Sequence, residues 1–219
     1  MTPHQPQTHE DRPALLIGLG LAGLLGSLAL VAGTLLGPFF VPNYDWVADT
    51  ISDMAAGEGE IVMDVALYLY AASLIALSLG AAHLHLGQFG WSGGLFILVI
   101  LALVVTLVGV RNEYGDGDNE GIVIHIYLVY AMGALYAVGP WLMADGAGRI
   151  STLYFWIFRI AAIAWAVAAP IFFVLPTTYD GLWERILGLI TLGWTIPLAW
   201  LLFQQGRARA KSGGLRRPA

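Results

Sequence analysis

Long apolar stretches broken by short polar ones run through almost the whole chain. Six runs of roughly 20 or more mostly apolar residues, the length a helix needs to cross a bilayer, fall at about Ala14–Phe40, Ile61–Leu86, Trp91–Val110, Ile122–Met143, Leu153–Leu175 and Leu182–Phe203. Only the short Gly87–Gly90 turn separates the second from the third. The alternation that marks barrel strands is absent. The pattern predicts an all-α polytopic bundle of six transmembrane helices, with a tail over residues 1–13, the helical domain over 14–205 and a basic tail over 206–219.

Composition agrees. The chain is 58% hydrophobic and 11% charged, with a mean hydropathy of +0.73, whereas a soluble domain is nearer 45–50% apolar and about 25% charged. Too few charges remain to cover a water-facing surface, and disorder is excluded for the same reason. Zero cysteines remove disulfides, Cys-ligated metals and thiol nucleophiles. A net charge of −5 argues against nucleic-acid binding. Membrane lipids are the expected partners, and no cofactor is indicated.

Charge placement orients the spans. Arg207, Arg209, Lys211, Arg216 and Arg217 crowd the C-terminal tail, and such clusters stay cytoplasmic. Six spans then place both termini in the cytoplasm of a cell membrane. The first run is too long for a signal h-region, and its flank holds Glu10 and Asp11 against Arg12, so it is expected to remain as an anchor. Twelve of the fifteen acids fall on the outer side, beside only Arg111 and Arg185. Trp46, Trp91, Trp141 and Trp183 near span ends suit an aromatic belt.

Candidate chemistry concentrates at that acidic end. In Tyr44–Met54, a helix would stack Asp45, Asp49 and Asp53 on one face at i, i+4 and i+8, where like charges repel. A cation, Arg111 or Arg185 would offset them, Arg185 first; a solvated acidic loop is the plain alternative. His125 opens the fourth span and is the only histidine expected outside. Ser52, Asp53, Asp64, Glu184 and Arg185 share its level. Glu184-Arg185 begins the sixth span, either as functional edge charges or as a structural ion pair. Asp49, Ser52, Asp53, Asp64, His125, Glu184 and Arg185 are therefore the candidate ligand-binding residues. The catalytic and metal roles stay unassigned.

Other motifs carry less. Gly18-Leu19-Gly20-Leu21-Ala22-Gly23 matches a dinucleotide fingerprint, but no strand precedes it. Gly18, Ala22 and Gly26 are instead expected to pack closely against a neighbouring helix. Arg159 is placed to snorkel towards headgroups. Pro140, Pro170 and Pro197 can kink three successive spans. Phe39–Asp45 resembles Phe172–Asp180, a weak internal echo at two helix exits.

The edge motifs together bear a likeness. Pro42-x-Tyr44-Asp45, Ile51-Ser52-Asp53, Val108-Gly109, His125 and Glu184-Arg185 resemble the six-span bacterial and archaeal membrane proteins of domain-of-unknown-function family 998, over about residues 14–205. That resemblance implies a six-helix membrane fold and no established activity. The intramembrane hydrolases of the ceramidase and progestin-receptor type differ, because they hold zinc with three histidines and here His125 stands alone outside. The leading expectation is an acidic extracytoplasmic vestibule that binds an ion, lipid headgroup or small ligand. The alternatives are a lipid- or isoprenoid-modifying enzyme using His125 and carboxylates, and a small transporter. The latter is disfavoured by a midplane whose polar residues are isolated ones such as Ser73 and Thr106.

Overall fold

The computed structural model describes residues 12–55, 59–87, 89–110 and 124–214. The described residues are helical: α1 (Pro13–Leu36), the short α2 (Ile51–Met54), α3 (Glu60–Leu84), α4 (Phe89–Val110), α5 (His125–Gly148), α6 (Thr152–Phe172) and α7 (Asp180–Gly214). All but α2 are long and apolar enough to cross a membrane. The chain is a six-span membrane protein.

Local signals set the ends of these helices. Pro13 stands in the first turn of α1, where a missing N–H costs nothing. Ser151 caps α6 by accepting from the Leu153 N–H at 3.2 Å. Thr50 and Asp53 form a reciprocal capping box on α2. α3 ends where His85 turns left-handed, at φ +48°. The following turn is held by Arg149, which donates to the Leu86 carbonyl.

The long helices form a ring in the order α1, α3, α4, α5, α6, α7, with α3 and α7 also touching across it. One side of the ring closes through small residues. Gly20 lies against the backbone of α7 at Ala199 and Phe203, Gly23 between Leu77 and Ala199, and Gly26 against Ser73 and the Leu69 carbonyl. The expected Gly18–Ala22–Gly26 stripe is therefore shifted. Gly18 faces open space, because the inward face follows Gly20, Gly23 and Gly26 instead of strict four-residue steps. Where α1 begins, Gly206 of α7 rests on its Pro13 and Ile17.

Apolar burial centres on Trp91, Trp194, Tyr70 and Phe158, each below 2% exposed. Trp91 is thus a core residue and not part of an aromatic belt; its indole N–H finds the Ala81 carbonyl of α3 at 2.9 Å. Indoles tie two further neighbours the same way: Trp165 of α6 donates to the Gly133 carbonyl of α5 at 2.7 Å, and Trp183 of α7 to the Ala168 carbonyl of α6 at 2.9 Å. Two buried hydroxyls turn back on their own helices, Ser27 to Gly23 and Thr195 to Thr191, while Ser78 of α3 reaches the Leu95 carbonyl of α4 at 3.0 Å. Without water, such groups need a partner within the protein.

Arg159 does more than snorkel. It meets both carboxylate oxygens of Asp145 at 3.1 and 3.2 Å and lies 3.9 Å from the ring centre of Trp141. Arg111 and the acids of 113–120 lie outside the described residues.

Candidate functional site

The Tyr44–Met54 segment is a strap across one end of the bundle. Only its last part, α2, is helical, so Asp45, Asp49 and Asp53 do not stack on a helix face. Each is used locally instead. The Asp45 carboxylate accepts from the Val47 N–H at 2.8 Å, Asp49 from the Asp45 N–H at 2.7 Å, and Asp53 from the Thr50 N–H at 2.7 Å. Short acidic side chains compete well for nearby backbone donors, which breaks a helix into turns. Beneath the strap, Met54 is 1% exposed and packs with Met63 and Ala66 of α3.

The first turns of α7 latch this strap. The N–H groups of Gly181 and Leu182, orphan donors of a helix start, give to Ala48 and Val47 at 3.1 and 3.0 Å. A side chain at Gly181 would collide with the Asp49 carbonyl, so only glycine fits there. Glu184 accepts from the Ile51 N–H at 2.5 Å and the Ser52 hydroxyl at 3.2 Å, capping α2 from a distant part of the chain. Arg185 reverses the roles: it donates to the carbonyls of Trp46 and Asp49, each at 3.1 Å, and to the Tyr44 hydroxyl. Its guanidinium also lies 4.8 Å from the Trp46 ring centre, near enough for a cation–π attraction.

This corrects the charge expectation. Arg185 makes no hydrogen bond to a carboxylate among the described residues; its terminal nitrogens go to backbone carbonyls and the Tyr44 hydroxyl, while its buried Nε has no hydrogen-bond partner among them. Glu184 and Arg185 are not bonded to each other but act as a pair of opposite hands on one strap. Tyr44 feels both influences. Its half-burial raises the phenol above its usual value, and the neighbouring Arg185 partly opposes that rise.

Below the strap lies a cavity of about 1240 Å3. Its mouth is polar, formed by Asp49, Ser52, Asp53, His125, Asp180 and Glu184. Farther in, the walls turn apolar: Leu67 of α3, Val105 of α4, Met132 of α5 and Leu187 of α7. Tyr70, Tyr136, Trp165 and Thr191 line its deep end, where the Tyr136 hydroxyl donates to that of Tyr70 at 3.4 Å. From Asp180 to Thr191 the helix rises roughly 16 Å at about 1.5 Å per residue. That is about half of a hydrocarbon core roughly 30 Å thick.

Of the seven candidates read from the sequence, five line this one cavity: Asp49, Ser52, Asp53, His125 and Glu184. Arg185 sits beside it in the strap latch, and Asp64 on α3 does not line it. His125 is 3% exposed although it begins a helix. Asp180 was not among the candidates, yet its Oδ1 atom is buried and lacks a hydrogen-bond partner among the described residues. It closes the Phe172–Asp180 echo segment, the one signal that pointed to it. Tyr70, Tyr136 and Thr191 sit inside apolar runs, where nothing in spacing distinguishes a cavity wall from packed core. Among the described residues no Lys or Arg lines the cavity, and no group of three or more His, Asp or Glu is placed to hold a metal ion.

A polytopic helical bundle with a cavity under a latched strap is the class that these observations define. The family model described as protein of unknown function (DUF998) matches residues 24–201, and the chain belongs to that family. No curated protein and no solved structure matches it.

Proposed function

We propose that this protein binds an amphipathic ligand in the strap-covered cavity, with the polar head at the carboxylate-rich mouth and the apolar portion along α5, α6 and α7. The strap end faces outward from the cell membrane, and the basic tail after α7 stays in the cytoplasm. One observation carries the reading: the cavity changes from acidic at the strap to apolar farther along α5, α6 and α7. Its volume exceeds the roughly 300–1,000 Å3 of a small-molecule pocket. The mouth offers carboxylates and no Lys or Arg among the described residues, so it suits a head that is cationic or rich in hydrogen-bond donors.

Binding stands ahead of catalysis because two of the mouth carboxylates are already engaged, and only Asp180 has a buried oxygen without a partner among the described residues. Asp53 and Glu184 are committed to backbone N–H groups of the strap. An enzyme needs acid, base or nucleophile converging on a reacting atom, and here the carboxylates converge on the protein's own loop.

The test is a set of single-chain amphiphiles sharing one tail and bearing ammonium, sugar or sulfonate heads, scored by thermal stabilisation of the purified protein. The ammonium compound should stabilise most, and Asp180→Asn should narrow its advantage. Gly188→Phe should abolish stabilisation by all three, because Gly188 lines the cavity and a side chain there meets open space. Equal stabilisation by all heads, untouched by Gly188→Phe, would overturn the reading.

A further inference from the structure

The cavity has two conceivable entrances, and they differ in what they admit. The axial one is covered: Ala48 to Asp53 of the strap line the cavity from above, and the strap is held there by Glu184, Arg185 and the first N–H groups of α7. The lateral one is not. The lining includes Tyr136 and Trp165, 3% and 6% exposed, and also Tyr130 of α5 and Phe173 just past the end of α6, which are 53% and 45% exposed. Gly133, Ala134, Ala166 and Ala169 lie along the same two helices between these extremes and are part of the same lining. A Cβ at Gly133 would meet nothing within 4 Å. The same cavity thus borders both buried and half-exposed residues of α5 and of the end of α6, where a gap between the two helices would open it sideways.

Two contacts frame this gap. Its inner edge is the Trp165–Gly133 hydrogen bond. Its outer edge is the ring contact of Tyr130 with Phe173, centres 5.1 Å apart. Both edges are aromatic, and the small residues between them leave room for a chain. Pro170 lines the gap as well. A proline lacks the N–H that would tie it to the carbonyl four residues back, here that of Ala166.

We infer that the α5–α6 gap is a window onto the bilayer and that the ligand is a membrane lipid, which enters tail first from the leaflet while its head slides to the mouth under the strap. This rests on the amphiphile reading above and narrows it to a ligand that resides in the membrane. A water-borne ligand would need the strap released. A lipid needs only the Tyr130–Phe173 threshold to part, and exposed side chains change rotamer on a picosecond-to-nanosecond timescale.

The absence of cysteine makes the window testable in the intact chain. The full-length protein is reconstituted in phosphatidylethanolamine vesicles containing a trace of the same lipid with a photoreactive group in mid-tail. After illumination, adducts should map to the interior, at Met132, Trp165 or Leu187. In the double variant Tyr130→Cys, Phe173→Cys, a short thiol cross-linker should cut interior adducts about tenfold, and reductive cleavage of that linker should restore them in the same molecules. Restoration separates a closed window from a misfolded protein. Ala134→Trp, which places a large side chain over the gap, should act in the same direction.

The outcomes are distinguishable. Interior adducts that persist with the linker in place but vanish in Gly188→Phe would overturn the window and leave the cavity reading standing. Interior adducts that ignore Gly188→Phe would overturn the cavity reading itself. Adducts confined to outward-facing Val138 and Val167 would mean annular lipid only, and both readings would fall.

Discussion

The two sides of the helix ring use the same residue for opposite ends. Where α1 meets α3 and α7, glycines bring backbones together: Gly20 and Gly26 leave no room for a single carbon against their neighbours. Along the cavity, Gly133 and Gly188 face empty space. Close approach of small residues is how helices gain packing energy in lipid, where no hydrophobic force pushes them together. Leaving the same residue against a void forgoes that energy. The first side is a scaffold tightened to its limit. The second has packing withheld where a ligand would fit.

Filling each kind of glycine tests this contrast most strongly. Gly26→Leu should cost about 3 kcal/mol or more, since overpacking against fixed backbone has no easy relief; loss of the folded species on size exclusion, or a large drop in melting temperature, would show it. The strap latch comes next. Arg185→Met leaves the Trp46 and Asp49 carbonyls and the Tyr44 hydroxyl without their donor, and should cost about 2 kcal/mol. Proteolysis within residues 44–50 should then quicken while the helices stay intact. Thr50→Ala removes the cap of α2 and should cost about 1 kcal/mol, read as a smaller change in the same assay.

Tyr44 supplies a pH arm. Its folded phenol titrates above the ordinary value near 10, so the folded state holds that proton more tightly than the unfolded chain does. Stability from this group is complete below about pH 10 and declines as pH rises through the folded value. Tyr44→Phe should flatten that alkaline decline. The smallest effect is expected at Gly188→Ala: the alanine meets no atom and favours helix by up to about 1 kcal/mol, so melting should hold or rise slightly. A marked loss there would erase the distinction between the two sides.

Hydropathy made the six spans legible, because a bilayer imposes length and composition on any helix that crosses it. Their ends were softer. The sixth helix continues through the basic tail to Gly214, beyond the apolar run at Phe203, since helical hydrogen bonding does not stop where hydrophobicity does. The mouth of the site was largely readable: Ser52, Asp53, His125 and Glu184 fall near span ends on the same side, and ring closure brings them to one cavity with Asp49. The strap was not. A spacing of four residues suggested a helix, whereas Asp45 and Asp49 compete for nearby backbone donors and favour turns. The cavity walls were hidden for another reason. Leu, Val and Met facing a void read the same as Leu, Val and Met facing each other, and only the assembled ring separates them.

The latch also orders the assembly of the protein in time. Ile51 finds its acceptor on Glu184, 133 residues later in the chain. At a synthesis rate of about 5–20 residues per second, roughly 7 to 27 s pass between the two. Through that interval the strap exists without its acceptor, its arginine, or the helix start that receives Ala48 and Val47. A nascent chain lacking the last span therefore exposes an unlatched segment to whatever quality-control protease surveys that face of the membrane. Arrival of the sixth helix both closes the ring and withdraws the segment. Chains truncated before Glu184 should therefore be cleared faster than equally hydrophobic chains that reach it.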